Sequence, residues 1–127
     1  MLLWLRGDNR LLGRWRSDAE RTTAEIEARG DIPIKGKATL SPMFGKLELR
    51  YGRWRSYSTF EGRTSRGWYR VVARDADSVA IVASSTIGGE SMPPMKVHII
   101  QHIHFEGDFY WVTLGSSNVR EFFRRVS

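Results

Sequence analysis

All three histidines of the chain fall in one apolar stretch, at positions 98, 102 and 104. Imidazole is the side chain that binds transition metals and exchanges protons near neutral pH. In an extended strand these positions share a parity, so His98, His102 and His104 point to one side, with His102 and His104 about 7 Å apart. Glu106 has the same parity. Two histidines so spaced can share a metal or a haem iron, which makes this the sharpest chemical constellation in the sequence.

The opposite parity reads Val97, Ile99, Gln101, Ile103 and Phe105, nearly all apolar and the natural interior of a sheet. A two-residue Gly107-Asp108 turn would pair Phe105 with Tyr110, Ile103 with Val112 and Gln101 with Leu114. It would also set His104 beside Trp111 and His102 beside Thr113 on the outer face. The histidines are therefore expected outside, as an exposed or interface stripe. A metal or haem site remains an alternative, as does an inverted barrel in which the histidines line a cavity. On the inner parity, Gln101, Tyr51, Tyr69 and Tyr110 carry polar tips that need partners. A ligand or trapped water could supply them, or the side chains could satisfy one another. With Leu49, Val71, Ile103 and Val112 they make a candidate cavity lining of apolar walls with a few convergent polar groups.

Catalytic motifs are missing. There is no Gly-x-Ser-x-Gly, phosphate loop, His-Glu-x-x-His or dinucleotide fingerprint. Glu61, Asp75 and Asp77 lie in turn sequences, where carboxylates usually serve structure. The expectation is a non-enzymatic protein without a cofactor. Trp54-Arg55-Ser56-Tyr57 mixes rings and guanidinium groups that could stack on bases. Barrels that bind single strands in this way have five strands, so nucleic acid is not the expected partner.

At 127 residues the chain is expected to be one domain, 1–127, with 41% hydrophobic and 27% charged residues, enough to fold around a core. There is no cysteine, which excludes disulfides, thiolate metal sites and a thiol nucleophile. The net charge is +6 and 16 of the 20 basic residues are arginine, scattered without a block of five or more. That pattern gives a general attraction for anions. The Met1-Leu2-Leu3-Trp4-Leu5 run is too short to span a bilayer and lacks the basic start of a signal peptide, so a soluble cytoplasmic protein is expected.

These side chains need a sheet to position them. Leu11 to Arg16 reads as a first strand. Ser17-Asp18-Ala19-Glu20 then forms a capping box that opens a helix running to Ala28, with Gly30 to end it. Alternation marks strands at Ile34 to Leu40, Gly45 to Tyr51, Trp54 to Phe60, Gly67 to Arg74 and Ser78 to Ser85. Glu61 to Arg66 reads as a polar loop between them. Lys96 to Glu106 and Phe109 to Leu114 complete the set. Val119, Phe122, Phe123 and Val126 follow helical spacing and predict a short C-terminal helical turn. The fold class is mainly β: an antiparallel up-and-down barrel of about eight strands. It carries a short helix after the first strand, which would plug it, and the C-terminal turn.

Gly13-Arg14-Trp15 on the first strand resembles the Gly-x-Trp signature of the calycins, the group of lipocalins and fatty-acid-binding proteins. A helix directly after the first strand looks like the fatty-acid-binding branch. The resemblance implies that Trp15 sits near a closed barrel end with an arginine from near the chain's end packed across it. Arg120, Arg124 and Arg125 are candidates, with Gly13, Trp15 and Arg124 taken as the barrel-end set. It further implies binding of a small apolar or anionic ligand inside the barrel. The alternative is an interaction module that forms a homodimer or docks a partner through the outer face of Phe109, Trp111 and the histidines.

Overall fold

Alternating inward and outward side chains give a sheet one dry face, and a sheet that closes on itself needs no second layer to cover that face. The computed structural model describes residues 8–30, 44–87, 93–113 and 119–126. Its elements are β1 (Gly13–Ser17), α1 (Ala19–Glu27), β2 (Leu47–Tyr51), β3 (Arg55–Phe60), β4 (Arg63–Arg74), β5 (Ser78–Ile87), β6 (Met95–Glu106), β7 (Phe109–Thr113) and β8 (Arg120–Arg125). Every strand pairs antiparallel with the next, and β8 returns to β1 to close the barrel. Closure pairs the two terminal strands of the circuit with each other, while β6 meets β7 only over His104–Glu106. Among the described residues no helix is long and apolar enough to cross a membrane.

The turns follow from local chemistry. Glu61 and Gly62 both have positive φ, at 49° and 81°, and join β3 to β4 by a tight hairpin. Gly107, at φ 61°, opens the β6–β7 turn in the expected register: Phe105 faces Tyr110 and His104 faces Trp111. A bulge between Val71 and Ala73 re-aims the end of β4.

Inward-facing Trp15, Tyr51, Tyr69, Val71, Val79, Ile81, Ile103, Tyr110, Val112 and Phe123 form one buried cluster. Trp15 stacks obliquely on Tyr110 with ring centroids 4.7 Å apart, and Tyr110 stacks on Phe123 at 4.8 Å. Residues 8–12 close the barrel end beside Trp15. Leu11 is fully buried there, and its carbonyl accepts the indole N–H of Trp15 at 2.8 Å. Arg10 ties this segment down. Its guanidinium donates to Asp8 and to the carbonyls of Asp75 and Ala76 in the β4–β5 turn, each at 2.9 Å.

Several sequence expectations change. The C-terminal helical turn is instead strand β8. Its Phe123 enters the barrel core, whereas Phe122 packs on the other side, against Arg21 of α1. A strand buried on both faces has no period-two pattern, which is why its apolar spacing imitates a helix. The expected strand at Ile34 to Leu40 lies outside the described residues. Arg63 to Arg66 is not loop but the first part of β4.

The helix cap also moves by one residue. Asp18 is the N-cap and accepts from the Arg21 N–H at 2.9 Å. Ser17 ends β1 and turns inward. The helix stops at Ala28 in a right-handed conformation, without a left-handed glycine. Helix α1 packs Ala19 and Ile26 against Phe44 and Val119 in a cluster separate from the barrel core. It continues along β8 where β1 stops. The Asp18 N–H donates to the Phe122 carbonyl at 2.8 Å, and the Phe122 N–H donates to the Thr22 hydroxyl at 2.9 Å. Arg21 lies over the rings of Phe109 and Phe122, and Arg120 pairs with Glu25.

Candidate functional site

The barrel is filled unevenly. Large rings occupy the Trp15 end, but β3 and β4 send only small residues inward along their middle. Ser56 pairs with Gly67, and Ser58 with Ser65, in that register. Leu47, Leu49, Ile81, Ala83, Ile99 and Val112 complete the lining around them. The difference in side-chain volume leaves an open-ended cavity of about 360 Å³. Gly67 is required for a second reason: a Cβ there would lie 2.4 Å from the Ser84 carbonyl oxygen on β5.

Of the residues singled out from the sequence, Leu49, Tyr51, Gln101 and Val112 line this cavity. Tyr69, Val71, Ile103 and Tyr110 are buried in the core cluster and do not line it. The three tyrosines do converge. The Tyr51 and Tyr110 hydroxyls are 3.4 Å apart, and Tyr69 donates to the Gly52 carbonyl. Burial pushes the Tyr51 and Tyr69 phenols up to about 12 and the Tyr110 phenol well above its usual value. They remain neutral hydrogen-bonding groups at any ordinary pH.

Sequence reading missed a buried carboxylate that lines the cavity. Glu121 of β8 faces inward beside Val112 and is only 8% exposed. Its Oε2 accepts from the Ser17 hydroxyl at 2.9 Å, and Ser17 in turn accepts from the Gly45 N–H at 3.0 Å. Burial raises the Glu121 pKa, and the Ser17 hydrogen bond offsets only part of that rise. Among the described residues no Lys or Arg pairs with it. A glutamate inside a presumed surface helix gave no signal of this role. Only its place in β8 aims it into the barrel.

At the closed end the tryptophan–arginine contact exists, but the partner is Arg125, not Arg124. In β8 residues 121, 123 and 125 share the inward parity, and Arg125 stands directly opposite Trp15 in the pairing of β8 with β1. Its guanidinium lies 4.3 Å from the Trp15 ring and donates to the carbonyls of Leu12 and Arg10. Arg124 points outward and is exposed. Gly13, at φ 120°, takes a conformation that favours glycine.

The histidines lie on the outer face. His104 stacks flat on Trp111, centroids 3.9 Å apart and planes within 8°. His102 is next to His104 and its Nε2 is 2.8 Å from the Ser78 hydroxyl. Burial against Trp111, helped by the neighbouring His102, lowers the His104 pKa. His98 faces Ser84 farther along β6. Among the described residues, no three His, Asp or Glu side chains come together as metal ligands would. The rings expected to need a cover find it within the chain: Arg21 lies over Phe109, while His104 and Arg120 lie against Trp111.

A second feature lies on the outer face of β1 to β4. Arg14, Arg50, Tyr57 and Arg66 occupy one cross-strand row. A cleft of about 540 Å³ opens beside it, bordered by Arg14, Arg50, Arg53, Trp54, Arg55 and Tyr57. Compared with known proteins, the chain matches no family model, and no curated protein or solved structure matches it significantly.

Proposed function

We propose that this barrel is a calycin-like carrier that binds one small, mostly apolar molecule, without catalysis. The observation that carries the reading is the lopsided lining. Ser56, Ser58, Ser65 and Gly67 on β3 and β4 leave a space of about 360 Å³ that Leu49 on β2, Ile81 on β5 and Val112 on β7 border with apolar side chains. Apolar walls with a few polar groups are how small-molecule sites are built, and this volume lies within their usual range. The Gly13-x-Trp15 strand and the Arg125 contact on Trp15 support the calycin-like reading.

The lining chemistry favours a neutral ligand with a hydrogen-bond donor over an anion. Glu121 and Gln101 present acceptors to the cavity, and among the described residues the one cation on its border, Arg66, belongs to the outward parity of β4. An anionic head group would meet the Glu121 carboxylate without an inward-facing cation among the described lining residues to neutralise it.

Calorimetric titration with octan-1-ol, octylamine and octanoate tests both parts. Saturable one-to-one binding of the alcohol or amine, with octanoate clearly weaker, is the expected result. Ser58→Phe fills the cavity and should abolish binding while the protein still melts cooperatively. If none of the three ligands binds, the carrier reading fails.

A further inference from the structure

We propose that the outer face of β1 to β4 binds single-stranded nucleic acid. The arginines that build this face are far apart in sequence, so no basic block marks them. Strand register brings them together: Arg14 is opposite Arg50, Arg50 is opposite Tyr57, and Tyr57 is opposite Arg66. Like charges placed directly opposite on neighbouring strands destabilise a sheet. Arg14 and Arg50 are such a pair, and Arg53 and Arg55 add two more cations at the border of the same cleft. Glu48 is the only acid on the outward parity of these four strands, and Arg14 already holds it at 2.6 Å. The remaining positive charge calls for an anion from outside.

The rings on this face indicate which anion. Trp68 is 53% exposed and Trp54 48% exposed, unusual for residues of this size. Arg55 lies over Trp68 at 4.9 Å, and Arg50 lies over Tyr57 at 4.3 Å. Trp68 and Tyr57 thus each carry a guanidinium beside them. A single strand offers the matching pattern, flat bases for the rings and phosphates for the guanidinium groups. A phosphate chain without bases would leave the rings unused. Hydrogen bonding from Arg55, and then from Arg50, lowers the Tyr57 phenol pKa, with their charges adding to the effect. The row belongs to the outward parity of these strands, although Tyr57 and Arg66 also border the barrel cavity.

Fluorescence anisotropy of the full chain tests the inference. The probes are labelled oligothymidylate and oligouridylate about 12 nucleotides long. Inorganic polyphosphate and vesicles rich in phosphatidylserine serve as competitors. Either oligonucleotide should bind, with affinity falling as salt rises. Trp68→Ala should weaken binding about tenfold, the loss of one stacked base. Arg50→Ala should also reduce the slope of log K against log salt by about 0.7. Arg124→Ala, outward on the opposite side of β1, should change neither. Thermal melts verify that each variant is folded. Absence of binding overturns the inference. So does displacement by polyphosphate or vesicles at equal phosphate, or binding indifferent to Trp68→Ala, since either shows attraction to charge alone.

Discussion

Arg124 and Arg125 are chemically identical neighbours with opposite positions in the barrel. One residue of register decides the difference, because a strand alternates faces at every step. Arg125 combines a ring contact with two hydrogen bonds to backbone carbonyls, and these hold residues 10–12 against the barrel end. Arg125→Ala is therefore expected to lower stability by about 2 kcal/mol. Arg124→Ala should stay within about 0.5 kcal/mol of the parent. Urea denaturation of both variants checks the pair, and equal effects would refute the assignment. Trp15 itself was legible from its motif. Its arginine was not, because the C-terminal segment has apolar residues on both faces and so displays no strand period.

Helix α1 shows the same limit one level up. Its existence follows from the polar, alanine-bearing run after β1, but its first turn depends on whether Ser17 belongs to the strand or to the cap. Tertiary contacts settle this. Ser17 donates to buried Glu121, so Asp18 is left to cap the helix. Asp18→Ala should cost about 1 kcal/mol and lower the melting temperature by about 4 °C. Asp18→Asn retains a capping oxygen and should change little. Circular dichroism melts distinguish the two. The hairpins were more readable. Gly107 and the β6–β7 alternation give the correct register, because turn residue and inward parity agree there. The start of β4 was hidden, since Thr64 and Arg66 face outward and Ser65 faces a cavity, so no apolar residue signals the strand.

Closure of the whole barrel depends on its ends. The segment before β1 is fastened by Asp8, which is 4% exposed and bound by Arg10, with Arg74 at 3.7 Å. The Arg10 hydrogen bond, more than any other contact, lowers the Asp8 pKa below its usual 3.8. A carboxylate with a lowered folded pKa stabilises the fold above its unfolded pKa, and that contribution is lost as pH falls below 3.8 toward the folded value. Glu121 has the opposite sign. Its raised pKa means that ionisation costs stability as pH rises through the raised value. Asp8→Asn should therefore melt below the parent near neutral pH, with the gap narrowing as the pH falls from about 4 to about 2. A gap that is constant across this range would remove Asp8 from the acid response.

By itself the sequence determined that this chain forms an antiparallel barrel. Alternation, turn residues and one capped helix are local signals, and they act over spans of a few residues. The inward sets of β2 and β6, that of β4 as far as Val71, and the outward histidines followed from the same parity, whereas the β4 bulge turns Ala73 outward. Tertiary structure alone decided that β8 closes the circuit and that Glu121 enters the cavity. It also decided that Arg125 covers Trp15 and that Arg14, Arg50 and Arg66 meet in one row. These outcomes depend on pairing between strands distant in sequence. A one-residue shift in that pairing moves every side chain to the other face, and no local signal carries that information.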